Sequence, residues 1–320
     1  MQPYYIGVDI GGTKVAYGLY NEKKELLGRW QHLSDSAAGA AVFLDEVAAQ
    51  IRSAMGSHNI PAKSLAGVGV CVPSFVLFEE GVILKTPNLP KLCNFPARAY
   101  LEVQLETRVV LDNDCNVAAL AESRYGAGSG FRHILYCAVS TGLGSGIIID
   151  GKVFRGSYGF AGEAGHMLVD VQQGDLECEC GHKGCFESHI GGSKITKRVA
   201  RRIQLGEKSV IEELCGGKLE AITAQDIHKA CEMGDGLALW ALEHMARYLG
   251  LWLYNLYQIF NMDCFVFGGG ITHFGPILFN RVRAVFDCLN QNELPVYFKM
   301  AGLGDDFGIR GAVELLFEKV

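Results

Sequence analysis

The sequence predicts an α/β protein built from two similar lobes. Three observations carry that expectation. Stretches rich in β-branched residues alternate with helical stretches along most of the chain. A strand, glycine turn and returning strand near the N-terminus, over 4–20, recur over 134–149. The 320 residues fill about two domains, and 49% apolar against 20% charged residues supports a sizeable core and excludes wholesale disorder.

The first strand, 4–9, runs into Gly11-Gly12-Thr13, and a second apolar stretch, 15–20, ends at the polar turn Asn21-Glu22-Lys23-Lys24. Residues 37–55 place Ala41, Leu44, Val47, Ala48 and Ile51 at helical spacing and stop near Asn59-Ile60-Pro61. A buried strand over 65–72 is stopped by Pro73. A short helix at 100–105 and a strand at 108–111 lead into Asp112-Asn113-Asp114, and a helix over 117–125 closes at Gly126. The second half opens as the first does. A strand at 134–139 meets the glycine turn Thr141-Gly142-Leu143-Gly144-Ser145-Gly146, a returning strand spans 147–149, and Asp150-Gly151 signals a hairpin. Helices follow at 193–205, 224–233 and 237–260. A strand at 264–267 meets Gly268-Gly269-Gly270, a helix starts at Pro276, and the last helix, 308–317, follows Gly302-Leu303-Gly304-Asp305.

Lys and Arg number 29 against 35 Asp and Glu, a formal charge of −6. That balance gives no electrostatic reason to expect nucleic-acid or membrane-surface binding. Glycine, at 40 residues, clusters beside apolar runs, which points to tight turns where backbone approaches a ligand. The opening Met-Gln-Pro-Tyr-Tyr lacks a basic leader region. The longest uncharged stretches, 134–149 and 248–262, are shorter than the ~18–20 residues of a membrane span. A cytoplasmic protein is expected. Of the 11 cysteines, Cys178, Cys180 and Cys185 cluster, and in a cytosolic chain such a cluster marks a metal site more often than a disulfide framework.

Four constellations could carry chemistry. In Asp9-Ile10-Gly11-Gly12-Thr13-Lys14, backbone N–H groups could cradle phosphate, Asp9 could reach a hydrated Mg²⁺, and Thr13 and Lys14 could contact terminal phosphate oxygens. A plain hairpin with a solvated Asp and Lys is the alternative, and neither a Walker loop nor a Rossmann fingerprint fits. The second glycine run, from Thr141 and Gly142, with Gly269 and Gly270 farther on, suggests a nucleotide held by backbone amides; tight turns alone would read the same. In Asp112-Asn113-Asp114-Cys115-Asn116, an Asp could cap the following helix or serve as a general base beside sugar-binding groups. The fourth is the strongest metal signal: Cys178, Cys180 and Cys185, with His166 twelve residues earlier, match a Cys₃His structural Zn²⁺ site. Glu163 and Glu187 flank these ligands, so a bound zinc would order a polar pocket.

Taken together these motifs resemble the ROK family of sugar kinases and sugar-responsive repressors. The resemblance runs nearly end to end and includes Pro87-Asn88-Leu89, Asn113-Asp114, Gly162-Glu163-Ala164-Gly165-His166, the cysteine cluster and Gly302-Leu303-Gly304-Asp305. It implies the actin/hexokinase-like (ribonuclease H-like) fold with a central cleft for sugar and ATP. The N-terminal lobe would span 1–115, joined by the C-terminal helix 308–320, and the C-terminal lobe 116–307. It implies Asp114 as catalytic base, with Asn88, Asn113, Glu163, His166 and Glu187 as sugar ligands. Asp9, Gly11, Gly12, Thr13, Lys14, Thr141, Gly142, Gly269 and Gly270 would hold Mg-ATP, and His166, Cys178, Cys180 and Cys185 would hold zinc. A homodimer or homotetramer is implied too. The expected activity is ATP-dependent phosphorylation of a hexose, glucose first, then N-acetylglucosamine or N-acetylmannosamine, then fructose. A repressor would need a helix-turn-helix ahead of a first strand that starts by Tyr4, and a non-catalytic sensor would be expected to lack Asp114, so neither is favoured. One departure is Pro73-Ser74, where the family usually has Pro-Gly; Ser74 is expected to add a side chain near the sugar.

Overall fold

The computed structural model describes residues 2–86, 88–170 and 176–318; Pro87 of the expected Pro87-Asn88-Leu89 motif and the last two residues of the expected C-terminal helix lie outside them. Strands β1 (Tyr4–Ile10) and β2 (Lys14–Tyr20) form the first hairpin, closed by the Gly11 N–H donating to the Lys14 carbonyl at 2.9 Å. β3 (Leu26–Leu33) extends the sheet beyond β2, and its residues alternate between exposed and half-buried with no buried face. An edge strand of that kind has no apolar periodicity, so the sequence did not reveal it. Helix α1 (Ala40–Ser57) turns Phe43, Leu44, Val47, Ala48 and Ile51 inward. β4 (Leu65–Val72) runs parallel to β1, and the short antiparallel pair β5 (Phe75–Leu77) and β6 (Val82–Lys85) follows. Next come α2 (Ala97–Leu105), β7 (Val109–Asn113), parallel to β4, and α3 (Asp114–Tyr125). The first sheet has the order β3-β2-β1-β4-β7.

The chain continues with β8 (Ile134–Val139), β9 (Leu143–Ile149) and β10 (Lys152–Val153). The glycine turn expected over 141–146 is shorter than its sequence suggests. Ser140 N–H donates to the Gly142 carbonyl at 3.1 Å, three residues reverse the chain, and Gly144, Ser145 and Gly146 already belong to β9. Helices α4 (Phe186–Ile190), α5 (Gly192–Gln204), α6 (Ile211–Leu214), α7 (Ala224–Glu232) and α8 (Gly236–Phe260) precede β11 (Cys264–Gly268). α9 (Pro276–Leu289), the edge strand β12 (Tyr297–Met300) and α10 (Phe307–Leu315) complete the chain. The second sheet has the order β10-β9-β8-β11-β12.

The chain forms two compact units: Met1–Arg132 with Gly146–Ala161 and Gly302–Val320, and His133–Ser145 with Gly162–Ala301. The expected division put 1–115 together with 308–320 in one lobe and 116–307 in the other; here 146–161 also group with the first unit, and 302–320 rather than 308–320 return to it. In the first unit, Ile6, Val8 and Ile10 of β1 join Leu44, Val47 and Ile51 of α1 in one apolar cluster. α10 lies against the sheet closely enough that a Cβ on Gly7 would sit 1.9 Å from the Ile309 carbonyl oxygen, and one on Gly69 1.7 Å from that of Ala312. Only glycine permits that approach. In the second unit, Phe265 of β11 meets Phe286 and Phe298 edge-on at 5.9 and 5.6 Å. Trp252 of α8 is fully buried, and its indole N–H donates to the Ala164 carbonyl at 2.9 Å, fixing the short turn that carries Glu163 and His166. No helix among the described residues is long and apolar enough to cross a membrane.

Candidate active site

The expected site residues divide between the two units. The first holds Asp9, Gly11, Gly12, Thr13, Lys14, Asn88, Asn113 and Asp114. Here the β7–α3 junction gives three consecutive polar residues three different tasks. Asp112 is 1% exposed and accepts from Arg155 Nε at 2.7 Å and Asn116 Nδ2 at 3.0 Å. Burial raises its pKa against the pull of the Arg155 charge, so it is an internal structural carboxylate. Asn113 is the N-cap of α3: its Oδ1 accepts from the N–H groups of Cys115 (2.8 Å) and Asn116 (3.4 Å). Its Nδ2 donates to the Ser74 carbonyl at 3.1 Å, which leaves one amide hydrogen for a ligand. The helix-cap alternative considered for an Asp therefore belongs to Asn113. Asp114, partly buried, accepts from the Cys115 N–H at 2.9 Å. Burial pushes its pKa up to about 6, with the nearby Asp9 charge adding to the rise and the Cys115 N–H opposing it. A carboxyl so tuned is still mostly ionised at neutral pH and is a far stronger base than an ordinary aspartate.

Asp9 stands in register with Cys71 on the adjacent parallel strand, and burial raises its pKa as well. The Gly11–Lys14 turn is braced from outside: Ser34 Oγ donates to the Gly11 carbonyl at 2.7 Å and Ser34 N–H to that of Thr13 at 3.0 Å. Its open side carries the exposed Thr13 and Lys14. A carboxylate and exposed backbone beside it fit a hydrated magnesium ion and phosphate oxygens.

The second unit holds Thr141, Gly142, Glu163, His166, Cys178, Cys180, Cys185, Glu187, Gly269 and Gly270. His166, Cys178, Cys180 and Cys185 each offer a donor atom, and the four lie within 4.8 Å of one another. Cys178 Sγ is 3.3 Å from His166 Nδ1, and Cys180 Sγ is 3.6 Å from Cys185 Sγ. A tetrahedron with Zn–S of ~2.3 Å has S–S edges near ~3.8 Å, so the residues fit a structural zinc. The loop is held by backbone: Cys178 N–H donates to the His182 carbonyl and Phe186 N–H to that of Met167, at 2.9 and 3.0 Å. Burial raises the Cys185 thiol to about 11. At Cys180 burial also raises the pKa, but hydrogen bonds from the His182 backbone and side chain and from the other two thiols outweigh it and bring the pKa down to about 7.

Around this cluster, His166 turns Nε2 toward Glu163 Oε2 at 3.7 Å. Glu187, 9% exposed near the start of α4, accepts from the Leu143 N–H at 3.2 Å with Oε2 and from the Cys178 thiol at 3.1 Å with Oε1. Coordination of Cys178 as thiolate would end that donation and leave Oε1 for a ligand. The same residues that would bind metal therefore also place the sugar-ligand candidates.

Beside Thr141 and Gly270 opens a cavity of ≈ 290 Å³ that sequence reasoning missed. Ile195, Ile222, Met245 and Phe274 wall it, and its Ser193 and Thr196 hydroxyls donate to the Thr141 and Ser193 carbonyls at 3.0 and 3.2 Å. These residues come from α5, α7's approach, α8 and the turn after β11, so no local motif announces them. Ser74 differs from its expectation. It is 5% exposed, and its hydroxyl donates to the Lys85 carbonyl at 2.7 Å, which directs it into the protein rather than toward a ligand.

The ROK family model matches residues 5–319. A glucokinase of Halalkalibacterium halodurans is 30% identical over 310 residues, covering 96% of this chain and 93% of its own length. An N-acetyl-D-glucosamine kinase of Aliivibrio salmonicida is 29% identical over 321 residues, covering 97% and 99%. Among solved structures, a ROK family glucokinase from Streptomyces griseus in complex with glucose and AMPPNP matches with a TM-score of 0.77 at 29% identity, covering 98% of both chains. The two sheet-based units accordingly have the actin/hexokinase-like fold.

Proposed function

We propose, for a chain that belongs to the ROK family and is a sugar kinase, that it transfers the terminal phosphoryl group of ATP to a hexose, with glucose as the first substrate. The observation that carries the mechanism is Asp114. It is relieved of helix capping by Asn113, and burial brings its pKa to about 6. In the proposed step a sugar hydroxyl loses its proton to Asp114, its oxygen forms the new bond to phosphorus, and the bond to the departing diphosphate breaks. Phosphoryl transfer needs positioning and charge neutralisation more than covalent help. Bound magnesium would neutralise phosphate charge, with Asp9 the residue placed to hold its hydration shell. Asn88, Asn113, Glu163, His166 and Glu187 would hold the sugar hydroxyls, and His166, Cys178, Cys180 and Cys185 would hold zinc as a brace for the last three.

The glucokinase relatives and the glucose-bound S. griseus structure support glucose. The A. salmonicida relative supports N-acetylglucosamine as the second candidate. A phosphorylation screen with ATP over glucose, mannose, fructose, N-acetylglucosamine and N-acetylmannosamine tests the reading. Highest kcat/KM on glucose is expected; preference for an N-acetyl sugar would reassign the substrate, and no turnover on any of them would overturn the kinase reading.

A further inference from the structure

Ser74 sits at a crossing of segments that the proposed sugar site needs. Its hydroxyl donates to the carbonyl of Lys85, the last residue of β6, at 2.7 Å, with the Phe75 carbonyl at 3.1 Å as the lesser acceptor. Its own carbonyl accepts from Asn113 Nδ2 at 3.1 Å. Lys85 lies three residues before Asn88, and the buried Thr86 hydroxyl donates to the Leu89 carbonyl. Asn88 in turn packs on the first glycine turn: a Cβ on Gly12 would lie 2.7 Å from Asn88 Cβ. One buried serine thus ties the Asn113 amide on one side to the segment carrying Asn88 on the other. Asp114 is held separately, by the first turn of α3.

We infer that Ser74 is a positioning residue for sugar binding: its hydroxyl and carbonyl fix the spacing between Asn88 and Asn113 without touching the sugar. The inference rests on the sugar-kinase reading of those two asparagines. A link between two binding groups that leaves the base in place acts on substrate affinity rather than on the chemical step. Removing the hydroxyl takes one donor from the Lys85 carbonyl and loosens the tie between Ser74 and the Asn88 segment. The sugar ranking should stay as it is, because the Ser74 side chain is buried and its hydroxyl is spent on main-chain carbonyls.

The test compares Ser74→Ala, Ser74→Gly and Ser74→Thr with the parent by steady-state kinetics on two hexoses, by calorimetric sugar binding without nucleotide, and by thermal melts. Ser74→Ala and Ser74→Gly are expected to raise the sugar KM and Kd about three- to tenfold. Their kcat and KM for ATP should stay within twofold, the ratio between the two hexoses should not change, and Ser74→Thr, which keeps the hydroxyl, should restore affinity. Parent-like sugar binding in both hydroxyl-free variants would overturn the inference. So would a fall in kcat together with a rise in both KM values, which is general structural damage, or a changed hexose ratio, which would put the side chain in the pocket. A parent protein that neither binds nor phosphorylates any hexose would instead refute the functional reading.

Discussion

Replacing Asp114 with Asn should move activity and stability in opposite directions. The carboxyl has a pKa of about 6 in the folded protein against 3.8 ordinarily, chiefly through burial. Between those values the folded state binds more protons than the unfolded one, so stability falls as pH rises from about 4 to about 6 and remains lower above that. The gap corresponds to about 3 kcal/mol at neutral pH. Asn carries no charge to desolvate and keeps an oxygen for the Cys115 N–H, now 2.9 Å away. Asp114→Asn should therefore melt a few degrees higher than the parent at pH 7, with the difference vanishing near pH 4. Turnover should drop by ~10²-fold or more, since the proton acceptor is gone. In the parent, kcat/KM should rise with pH through about 6, so that the value at pH 5 is roughly a tenth of that at pH 7; the variant should lack this limb. Kinetics from pH 5 to 8 beside melts at pH 4 and 7 decide the matter. A variant that turns over within threefold of the parent, with the acid limb intact, removes Asp114 from the mechanism.

Two further outcomes are expected. The purified protein should contain one zinc per chain by elemental analysis, and Cys180→Ser, which alters an exposed ligand and opens no core cavity, should lower both the melting temperature and sugar affinity; a zinc-free protein with full activity would refute the assignment. If the ≈ 290 Å³ cavity beside Thr141 and Gly270 takes the base of the nucleotide, its mostly apolar walls, with the Ser193 and Thr196 hydroxyls turned to main-chain carbonyls, should discriminate weakly. GTP or ITP in place of ATP should then cost no more than ~10²-fold in kcat/KM, the scale of a pocket that reads shape, whereas rejection by ~10⁴-fold would mean a hydrogen-bonding reader.

The paired strand–turn–strand patterns, the long α8 and the buried β4 and β11 were legible because their apolar periodicity is local and strong. β3 and β12 were not. Both are edge strands whose side chains are exposed or half-buried, so only the neighbouring strand, β2 or β11, makes them strands. The cavity beside Thr141 was illegible for a related reason: its wall is assembled from residues between 139 and 274 that no spacing rule connects. The cysteine cluster was legible because three of its four donor residues lie within one short loop, which needs no tertiary partner to be noticed.

The β7–α3 junction shows where local chemistry stops being sufficient. Asp112, Asn113 and Asp114 are adjacent polar residues after an apolar strand, and by type alone any of them could cap, bind or react. Asn113 could have been read as the cap from its preference for that position. The choice between the two aspartates could not, because it is made by Arg155, 43 residues farther along the chain. Arg155 stacks its guanidinium 3.8 Å over the Phe78 ring, with Nε 2.7 Å from the Asp112 carboxylate. A buried carboxylate gripped by its own cation and by the Asn116 amide is held in one geometry. Asp114 feels the negative charge of Asp9 instead, and burial keeps its pKa close enough to neutrality to take a proton and give it back. The same residue type two positions apart is thus a structural anchor in one place and the proposed base in the other, and the difference lies in which distant side chain reaches it.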